Sequence, residues 1–248
     1  MGSDYSVCIT QYNDVRTVEK SITSVLEQFD SSFELVVVDN FSSDGSYQVL
    51  ERLSASWPNV RLYRKKCSRG QGRQLAFLGS SGRYVISQYD TDDVMLPNLR
   101  SLLAKFHSEF EEEILRIRRS SFDGKDQFCG LTIARREVLS SIGGWRDLNW
   151  YEDADLWNRA GTAGLLVEID YPIISRNANH PERRGWIQRI GHRYLTLKEC
   201  ERASLWNRVG VSEKRSARTF PLYACAWVAA RFQPLRSDRA YPVHGSRS

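Results

Sequence analysis

The feature that most constrains the fold of this chain is a repeated alternation of β-rich and helix-patterned segments over its first 90 residues. Phe33–Val38 (FELVVV) is a continuous apolar run, which is typical of a parallel strand covered on both faces. Strands that alternate with helices predict an α/β fold with a mainly parallel, doubly wound sheet. The predicted strands are Tyr5–Thr10, Phe33–Val38, Val60–Arg64 and Tyr84–Tyr89, and the predicted helices are Val15–Phe29, Ser46–Leu53 and Gly70–Leu78.

Polar side chains follow three of these strands at the point where each strand ends. They are Thr10–Tyr12 after the first strand, Asp39 after the second and Asp90–Asp93 after the fourth. In doubly wound sheets, ligands bind beyond the carboxyl ends of the strands. We therefore expect these residues to meet in one binding site at that edge.

Beyond Pro97 the alternation weakens, and the chain is predicted to end in a basic helical extension. We expect a catalytic domain over residues 1–180 and an extension over residues 181–248, with a disordered end from Ser237. The later helices are predicted at Leu99–Phe110, Arg136–Ile142, Glu152–Ala160, Trp186–Cys200 and Phe220–Phe232, and the later strands at Glu113–Arg118, Cys129–Ala134 and Leu165–Ile169.

Charge is distributed unevenly between these two regions. The extension carries a net charge of +9, whereas residues 1–180 carry −4. An apolar stripe with interleaved arginines runs from Trp186 to Lys198. It fits either a helix packed on the core with a solvated basic face or a helix docked on an anionic membrane surface. The basic residues form no nucleic-acid-binding motif, so we expect no nucleic-acid partner.

The cysteines and the apolar runs bear on the cellular location. The five cysteines include no CxxC pair, which argues against a zinc site or a redox dithiol. An odd cysteine count and the lack of a signal peptide favour reduced thiols and a cytoplasmic location, with peripheral contact to the membrane's cytoplasmic face as an extension of that hypothesis. The longest apolar run, Phe220–Val228, is too short to span a bilayer.

The segment Asp90–Thr91–Asp92–Asp93 is the strongest candidate for chemistry. Three carboxylates within four residues repel one another unless a cation or water compensates their charge. A hard divalent ion such as Mg²⁺ or Mn²⁺ binds one or two carboxylates together with phosphate oxygens of a substrate. The alternative is a solvated acidic turn, but its position after a buried strand favours a metal site.

A second acidic pair, Glu152–Asp153, begins a predicted helix. Acidic residues in the first turn of a helix interact favourably with the helix dipole, which is one explanation for the pair. The other is a general base that removes the proton from an attacking hydroxyl group. The local sequence does not separate the two.

Taken together, six short motifs in order make residues 5–180 resemble the GT-A fold glycosyltransferases of family 2. The motifs are Ile9–Asn13, Val36–Asn40 with Ser42–Gly45, Arg69–Gly70 with Arg73, Asp90–Asp93, Gly143–Trp145 and Glu152–Asp153. The resemblance implies an inverting transfer of a sugar from a nucleoside-diphosphate donor to an acceptor hydroxyl of a glycan or lipid-linked molecule, with Mg²⁺ or Mn²⁺ as cofactor.

The same resemblance implies the roles of individual residues. Asp153 matches the catalytic base, with Glu152 beside it. The donor-binding positions are Thr10, Tyr12, Asp39, Arg73 and Asp90, the metal positions are Asp92, Asp90 and His180, and the acceptor-side loop holds Gly144 and Trp145. A lone histidine is more often structural, so His180 has this alternative.

The chain departs from the family pattern in two of its motifs. The usual Pro-Thr-Tyr-Asn is Thr10–Gln11–Tyr12–Asn13 here, and Asn40 stands where many relatives carry an aspartate. The competing functions are a nucleotidyltransferase-like enzyme and a non-catalytic sugar-nucleotide binding module. The segment Thr10–Arg16 lacks the glycine and lysine of the former, and intact Asp90, Asp92 and Asp153 argue against the latter.

Overall fold

The computed structural model of the protein describes residues 3–118, 130–176, 194–195, 197–203 and 220–232. The strands are β1 (Tyr5–Gln11), β2 (Phe33–Asp39), β3 (Val60–Arg64), β4 (Tyr84–Ser87), β5 (Asp93–Met95), β6 (Ile114–Arg118), β7 (Gly130–Arg135), β8 (Leu166–Asp170) and β9 (Ile174–Arg176). The labelled helices are α1 (Val18–Leu26), α2 (Ser46–Ser56), α3 (Arg69–Gly79), α4 (Leu99–Glu109), α5 (Arg136–Ser141), α6 (Glu152–Thr162) and α7 (Phe220–Arg231).

Seven strands form the central sheet in the order β3-β2-β1-β4-β7-β6-β8. The first four strands are parallel to one another, which confirms the α/β fold with a mainly parallel sheet. Strand β7 is the exception, because it runs antiparallel to both β4 and β6. The carboxyl ends of β1, β2 and β4 therefore lie at one edge of the sheet.

A second sheet of two short strands was not predicted. Strand β5 pairs antiparallel with β9, and Asp93 is the register partner of Arg176. Each strand has three residues, which is too short for a period-two pattern to be visible in the sequence. Asp93 is buried as the first residue of β5, whereas Asp90 and Asp92 are only half-buried. The aspartates that were predicted as one cluster therefore differ in environment.

The apolar core has two parts, one on each face of the sheet. Apolar side chains of α1, α2 and α4 pack on one face, where they meet Val7, Leu35 and Val37. Those of α3, α5 and α6 pack on the other face, where they meet Val36, Val38 and Val85. Successive side chains of β2 point to opposite faces, so the run Phe33–Asp39 is buried throughout. This explains its unbroken apolar sequence.

The predicted extension is described only in part. The boundary at residue 180, the end after Ser237 and most of the predicted helix Trp186–Cys200 lie outside the described residues. Within the described part, residues 197–202 are helical, and α7 buries Ala226 and Ala230. In the described segments no helix combines the length and the apolar character that crossing a membrane requires.

Candidate active site

Polar loops that follow β1, β2 and β4 meet at the carboxyl edge of the sheet. Asp39 is fully buried, and its Oδ2 accepts a hydrogen bond from the Ser42 backbone N–H at 2.9 Å. Its Oδ1 is also buried, and no described residue donates a hydrogen bond to it. Tyr12, in contrast, is 56% exposed. Gln11, the residue before Tyr12, is the register partner of Asp39, so a buried acceptor and an exposed aromatic residue lie at the ends of neighbouring strands and can bind a planar ligand that donates hydrogen bonds.

The two departures from the family pattern have structural partners. Gln11 Oε1 lies 2.8 Å from Thr91 Oγ1, so the first loop contacts the Asp90–Asp93 segment. Asn40 Oδ1 accepts a hydrogen bond of 2.8 Å from the Cys67 backbone N–H. Neither substitution leaves a loop unsupported. Asn40 binds the segment before α3 through a hydrogen bond to Cys67, and an aspartate at this position would add a negative charge.

Helix α3 is brought unusually close to the sheet edge by two glycines. A Cβ on Gly70 would lie 2.0 Å from the Arg146 carbonyl oxygen, and one on Gly72 would lie 2.2 Å from Thr10 Oγ1. Ser68 and Gln71 close the helix start with a capping box. This close packing explains the Arg69–Gly70 motif and directs Arg73, one turn later, into the site.

Arg73 lies at the centre of the site and is 1% exposed. Its Nη2 lies 3.1 Å from Asp90 Oδ1, and its Nε lies 3.3 Å from Glu152 Oε1 and 3.3 Å from Asp153 Oδ1. One buried guanidinium thus holds three carboxylates from two distant segments. Arg69, whose side chain is 44% exposed, lies 3.8 Å from Glu152 and is the arginine that opens towards solvent.

The acidic pair at the start of α6 has shifted protonation equilibria. Burial and the charge of Asp153 raise the pKa of Glu152, although Arg69 and Arg73 oppose the rise. Burial likewise raises the pKa of Asp153, which Arg73 lowers and Asp90 raises. The Asp153 side chain remains 20% exposed, whereas Glu152 is almost fully covered. Asp153 is therefore the member of the pair that a substrate can reach.

The residues predicted to hold a metal lie at the mouth of this site. Asp90 and Asp92 are half-buried, and Asp14 lies nearby and accepts a 2.7 Å hydrogen bond from Thr91 Oγ1. Burial raises the pKa of Asp14, as do the charges of Asp92 and Asp90. The described segments contain no group of three histidine, cysteine, aspartate or glutamate side chains placed to hold a metal ion. His180 lies outside these segments. Two carboxylates completed by phosphate oxygens are nevertheless a donor set that suits Mg²⁺ or Mn²⁺.

The loop Gly143–Trp145 is held in place by contacts with helix α3. The Trp145 backbone N–H donates to Gln74 Oε1 at 2.8 Å, and a Cβ on Gly144 would lie 2.2 Å from the same oxygen. The Trp145 ring is fully buried against Phe77, at 6.0 Å between ring centroids. Trp145 thus supports the loop Gly143–Trp145 through packing on α3, and its ring is not exposed to a ligand.

Backbone strain marks the same edge of the sheet. Four described non-glycine residues have a left-handed backbone, namely Asn13, Phe41, Gln88 and Tyr151. They follow β1, β2 and β4 and precede α6, and such strain clusters at functional sites. Asp14 and Gln88 lie at the site but were not predicted from the sequence motifs. The polar Gln88 within an otherwise apolar strand end was a signal that could have identified it.

Several known proteins are similar to this chain. It is 23% identical over 235 residues to the putative glycosyltransferase EpsE of Bacillus subtilis, which covers 82% of this chain and 84% of that protein. It is 34% identical over 96 residues to the Escherichia coli enzyme WfgD, named as a UDP-Glc:alpha-D-GlcNAc-diphosphoundecaprenol beta-1,3-glucosyltransferase, over 38% of this chain and 36% of that protein. The match to the glycosyltransferase AglD of Haloferax volcanii, at 22% identity, spans 69% of this chain but only 33% of that protein.

Solved glycosyltransferase structures share the fold. The mannosyltransferase PcManGT of Pyrobaculum calidifontis, in complex with GDP-Man and Mn²⁺, superposes with a TM-score of 0.65 at 17% identity over 94% of this chain and 76% of that one. S. aureus TarS residues 1–349 in complex with UDP superposes with a TM-score of 0.63 at 18% identity over 93% of this chain and 81% of that one. These neighbours are GT-A glycosyltransferases, which confirms the predicted fold class.

The sequence profile of the family described as Glycosyl transferase family 2 matches residues 6–152. The matched segment begins in β1, contains the Asp90–Asp93 motif and ends at Glu152, so it encloses most of the site. The chain therefore belongs to glycosyl transferase family 2 and is a glycosyltransferase enzyme with a GT-A fold.

Proposed function

We propose that the protein is a metal-dependent, inverting glycosyltransferase that moves a sugar from a nucleoside-diphosphate donor to an acceptor hydroxyl. One observation carries the proposal. The partly exposed Asp153 and the half-buried Asp90 are held by the same buried guanidinium of Arg73. A base for the acceptor and a carboxylate for the donor side are thus fixed relative to each other, as a direct displacement requires.

The donor nucleoside would bind at the ends of β1 and β2. The unpartnered Asp39 Oδ1 is a suitable acceptor for an N–H of the base, and Tyr12 offers an exposed ring beside it. Thr10 closes this side against α3. The neighbours solved with UDP or GDP-Man support a nucleotide ligand for this fold.

Asp92 and Asp90 would hold a divalent cation, and neighbouring structures contain Mn²⁺ or Mg²⁺. When bound, such an ion neutralises charge on the diphosphate leaving group. His180 remains a proposed additional ligand. Because Arg73 is covered, its charge acts on the diphosphate only indirectly, by setting the positions of the acids. Arg69 has a 44% exposed side chain beside Glu152, so we place it beside the phosphates.

Asp153 would remove the proton from the acceptor hydroxyl as its oxygen forms a bond to the anomeric carbon. The bond from that carbon to the nucleoside diphosphate breaks in the same step, so the configuration inverts. Burial raises the pKa of Asp153, which makes its carboxylate a stronger base than an exposed aspartate. Glu152 is almost fully covered, and its role is to balance the charges of Arg69 and Arg73.

The acceptor would be a glycan or a lipid-linked molecule, handled at the cytoplasmic face of a membrane. Support comes from WfgD, whose named acceptor is a diphosphoundecaprenol-linked sugar. Trp227 and Val228 on α7 are exposed, as is Phe232 directly after the helix, and the Arg231 guanidinium stacks on Trp227 at 3.4 Å. Exposed aromatic residues beside a cation, within a region of net charge +9, fit an anionic lipid surface.

Thermal-shift measurements with a panel of nucleoside diphosphates and sugar nucleotides, with and without Mn²⁺, test the donor proposal. A true donor should raise the melting temperature by mass action, and the rise should depend on Mn²⁺. The Asp39→Asn variant is the matched control, because it keeps the shape but exchanges one acceptor oxygen for a donor. An equal response of the variant and the wild type would remove Asp39 from the nucleoside site.

A further inference from the structure

A pair of buried polar side chains joins the end of β4 to β7, next to helix α6. Gln88 follows β4 with a left-handed backbone, at a φ of 63°, and is 2% exposed. Thr132 is fully buried on β7, where it pairs with Ser87, the residue before Gln88. An amide and a hydroxyl in such a covered position cost free energy unless their hydrogen bonds are made. The hydrogen-bond partners of Gln88 and Thr132 therefore indicate the role of these two side chains.

The hydrogen bonds of this pair have a fixed direction. The Trp157 indole Nε1–H can only donate, and it donates to Thr132 Oγ1 at 3.0 Å. The hydroxyl then uses its own proton to donate to Gln88 Oε1. Because Gln88 Oε1 accepts this bond, the Nε2 group of the same amide points away from Thr132. Reversing the amide would break the bond to Thr132 and turn an oxygen towards the neighbouring carboxylate.

That carboxylate belongs to Asp153, one helical turn before Trp157 on α6. Asp153 Oδ1 is covered and lies 3.3 Å from Arg73 Nε, and neither this oxygen nor the covered Gln88 Nε2 has a hydrogen-bond partner among the described residues. Burial raises the pKa of Asp153, and the Gln88 side chain is among the groups that lower it. The hydrogen bonds that link Gln88 to the proposed base run through Thr132 and Trp157 to helix α6.

Trp157, at the other end of this series of hydrogen bonds, is also held in place. Arg116 stacks on the Trp157 ring, with its guanidinium carbon 3.8 Å from the ring centroid, and it pairs with Glu168 on β8. Trp157 is therefore held on its face and at its N–H group. A rotation of α6 that moved Asp153 would also disturb the Trp157 contacts, because the two residues lie on the same side of the helix.

We propose that Gln88 and Thr132 are positioning residues for the catalytic base, which fix helix α6 through Trp157 and thereby set the position of Asp153. This inference rests on the proposed function, because it assigns Asp153 as the base. Since Oδ1 is covered, the exposed 20% of the Asp153 side chain lies on its other atoms. Such a residue acts on the rate of the chemical step and leaves donor affinity unchanged.

The test compares Thr132→Val with Thr132→Ser. Valine keeps the shape but removes the hydroxyl that joins Gln88 to the Trp157 indole, whereas serine keeps this hydroxyl. We expect Thr132→Val to lower the single-turnover transfer rate by roughly 10-fold to 100-fold, the scale of a small misplacement of a reacting group. Thr132→Ser should restore most of the rate. Calorimetric affinity for the nucleoside diphosphate with Mn²⁺ should stay within about 2-fold in both variants, because the donor contacts are untouched.

Two further variants separate positioning from loss of stability. Ser6→Ala removes a buried hydroxyl that bonds Glu34 at the opposite edge of the sheet, and it should leave the transfer rate intact. Thr132→Val should add little to the loss already caused by Asp153→Asn, because both act through the same carboxylate. An additive loss, a wild-type rate in Thr132→Val, or an equal loss in Ser6→Ala would overturn the inference. A wild-type enzyme that transfers no sugar from any donor would instead refute the proposed function, and this inference with it.

Discussion

Arg73 Nη2 lies 3.1 Å from Asp90 Oδ1, so the helix that follows the third strand is bonded directly to the acidic segment that follows the fourth. The same guanidinium reaches Glu152 and Asp153, 79 and 80 positions later in the chain. Three carboxylates would not remain together in a buried space without this cation. The geometry of the site therefore depends on one residue that has almost no contact with solvent.

Removing this cation should destabilise the protein. Arg73→Ala is expected to lower the free energy of unfolding by about 3–5 kcal/mol, the usual cost of leaving a buried charge without its partner. Arg52→Ala is the control, because its pair with Glu19 is largely exposed, and such pairs contribute little. Urea denaturation of both variants measures the difference. Similar losses in the two would show that the buried cluster has no special role in stability.

Transfer should depend on a divalent metal. EDTA is expected to abolish activity, and Mg²⁺ or Mn²⁺ should restore it, because Asp90 and Asp92 provide hard oxygen ligands beside the expected diphosphate. Asp92→Asn should weaken the Mn²⁺-dependent binding of the nucleoside diphosphate, measured by calorimetry. Full turnover by thoroughly chelated enzyme would contradict the metal proposal.

Asp153→Asn should separate chemistry from binding. The substitution keeps the size of the side chain but removes its basicity, so the single-turnover rate should fall by roughly 10²–10⁴-fold. Donor and metal affinity should remain nearly unchanged, in contrast to Asp92→Asn. If Asp153→Asn turned over at the wild-type rate, Glu152 would be the next candidate for the base. If both variants lost donor binding equally, Asp153 would belong to the donor site.

Activity and stability should respond to pH in opposite directions. Burial raises the pKa values of Glu152 and Asp153 above their ordinary values of 4.5 and 3.8. The folded state therefore binds protons more tightly than the unfolded chain, and the stability contributed by these groups is lost as pH rises from about 4 through the raised pKa values. Transfer needs the deprotonated base, so its rate should increase over the same range, with the pair titrating together.

Rate profiles and melting curves from pH 4 to pH 8 test this expectation. The Glu152→Gln, Asp153→Asn double variant should lose the part of the stability slope that the pair causes. An acid limb of the rate profile at the pKa of an ordinary exposed aspartate would contradict the shift. So would a melting temperature whose pH dependence is the same in the wild type and the double variant.

Binding to anionic vesicles should depend on the exposed side of α7. Replacing Trp227 and Phe232 by glutamine should reduce co-sedimentation with vesicles that contain anionic lipid, and salt should weaken the binding of the wild type. The control replaces Tyr63 and Leu78, which are exposed apolar residues outside the extension, by glutamine. Equal binding by both double variants would remove α7 from the membrane proposal.

Much of the fold could be predicted from local pattern. Strand β3 was predicted with its observed bounds, and the other strands of the large sheet began or ended within two residues of the prediction. Period and composition report burial, and burial in a parallel sheet leaves continuous apolar runs such as Phe33–Val38. The position of the site followed because parallel strands place Asp39 and Asp90 at one edge.

Other features depended on pairings between residues far apart in the chain. The strands β5 and β9 are too short to carry a pattern, and each exists because the other pairs with it. Trp145 was expected in the loop that shapes the acceptor pocket, and the burial of its ring against Phe77 depends on the packing of that loop on α3.

The sequence by itself therefore determined the elements, their order and the edge of the sheet where polar residues collect, because local periodicity encodes them. Only the tertiary structure decided which side chains in that edge touch. Arg73 meets Glu152 and Asp153, and Thr132 meets Gln88, across separations of 79, 80 and 44 residues. Such contacts arise from the packing of α3, α6 and β7 around the end of β4. No pattern along the chain encodes that packing, because it depends on how separate surfaces fit together.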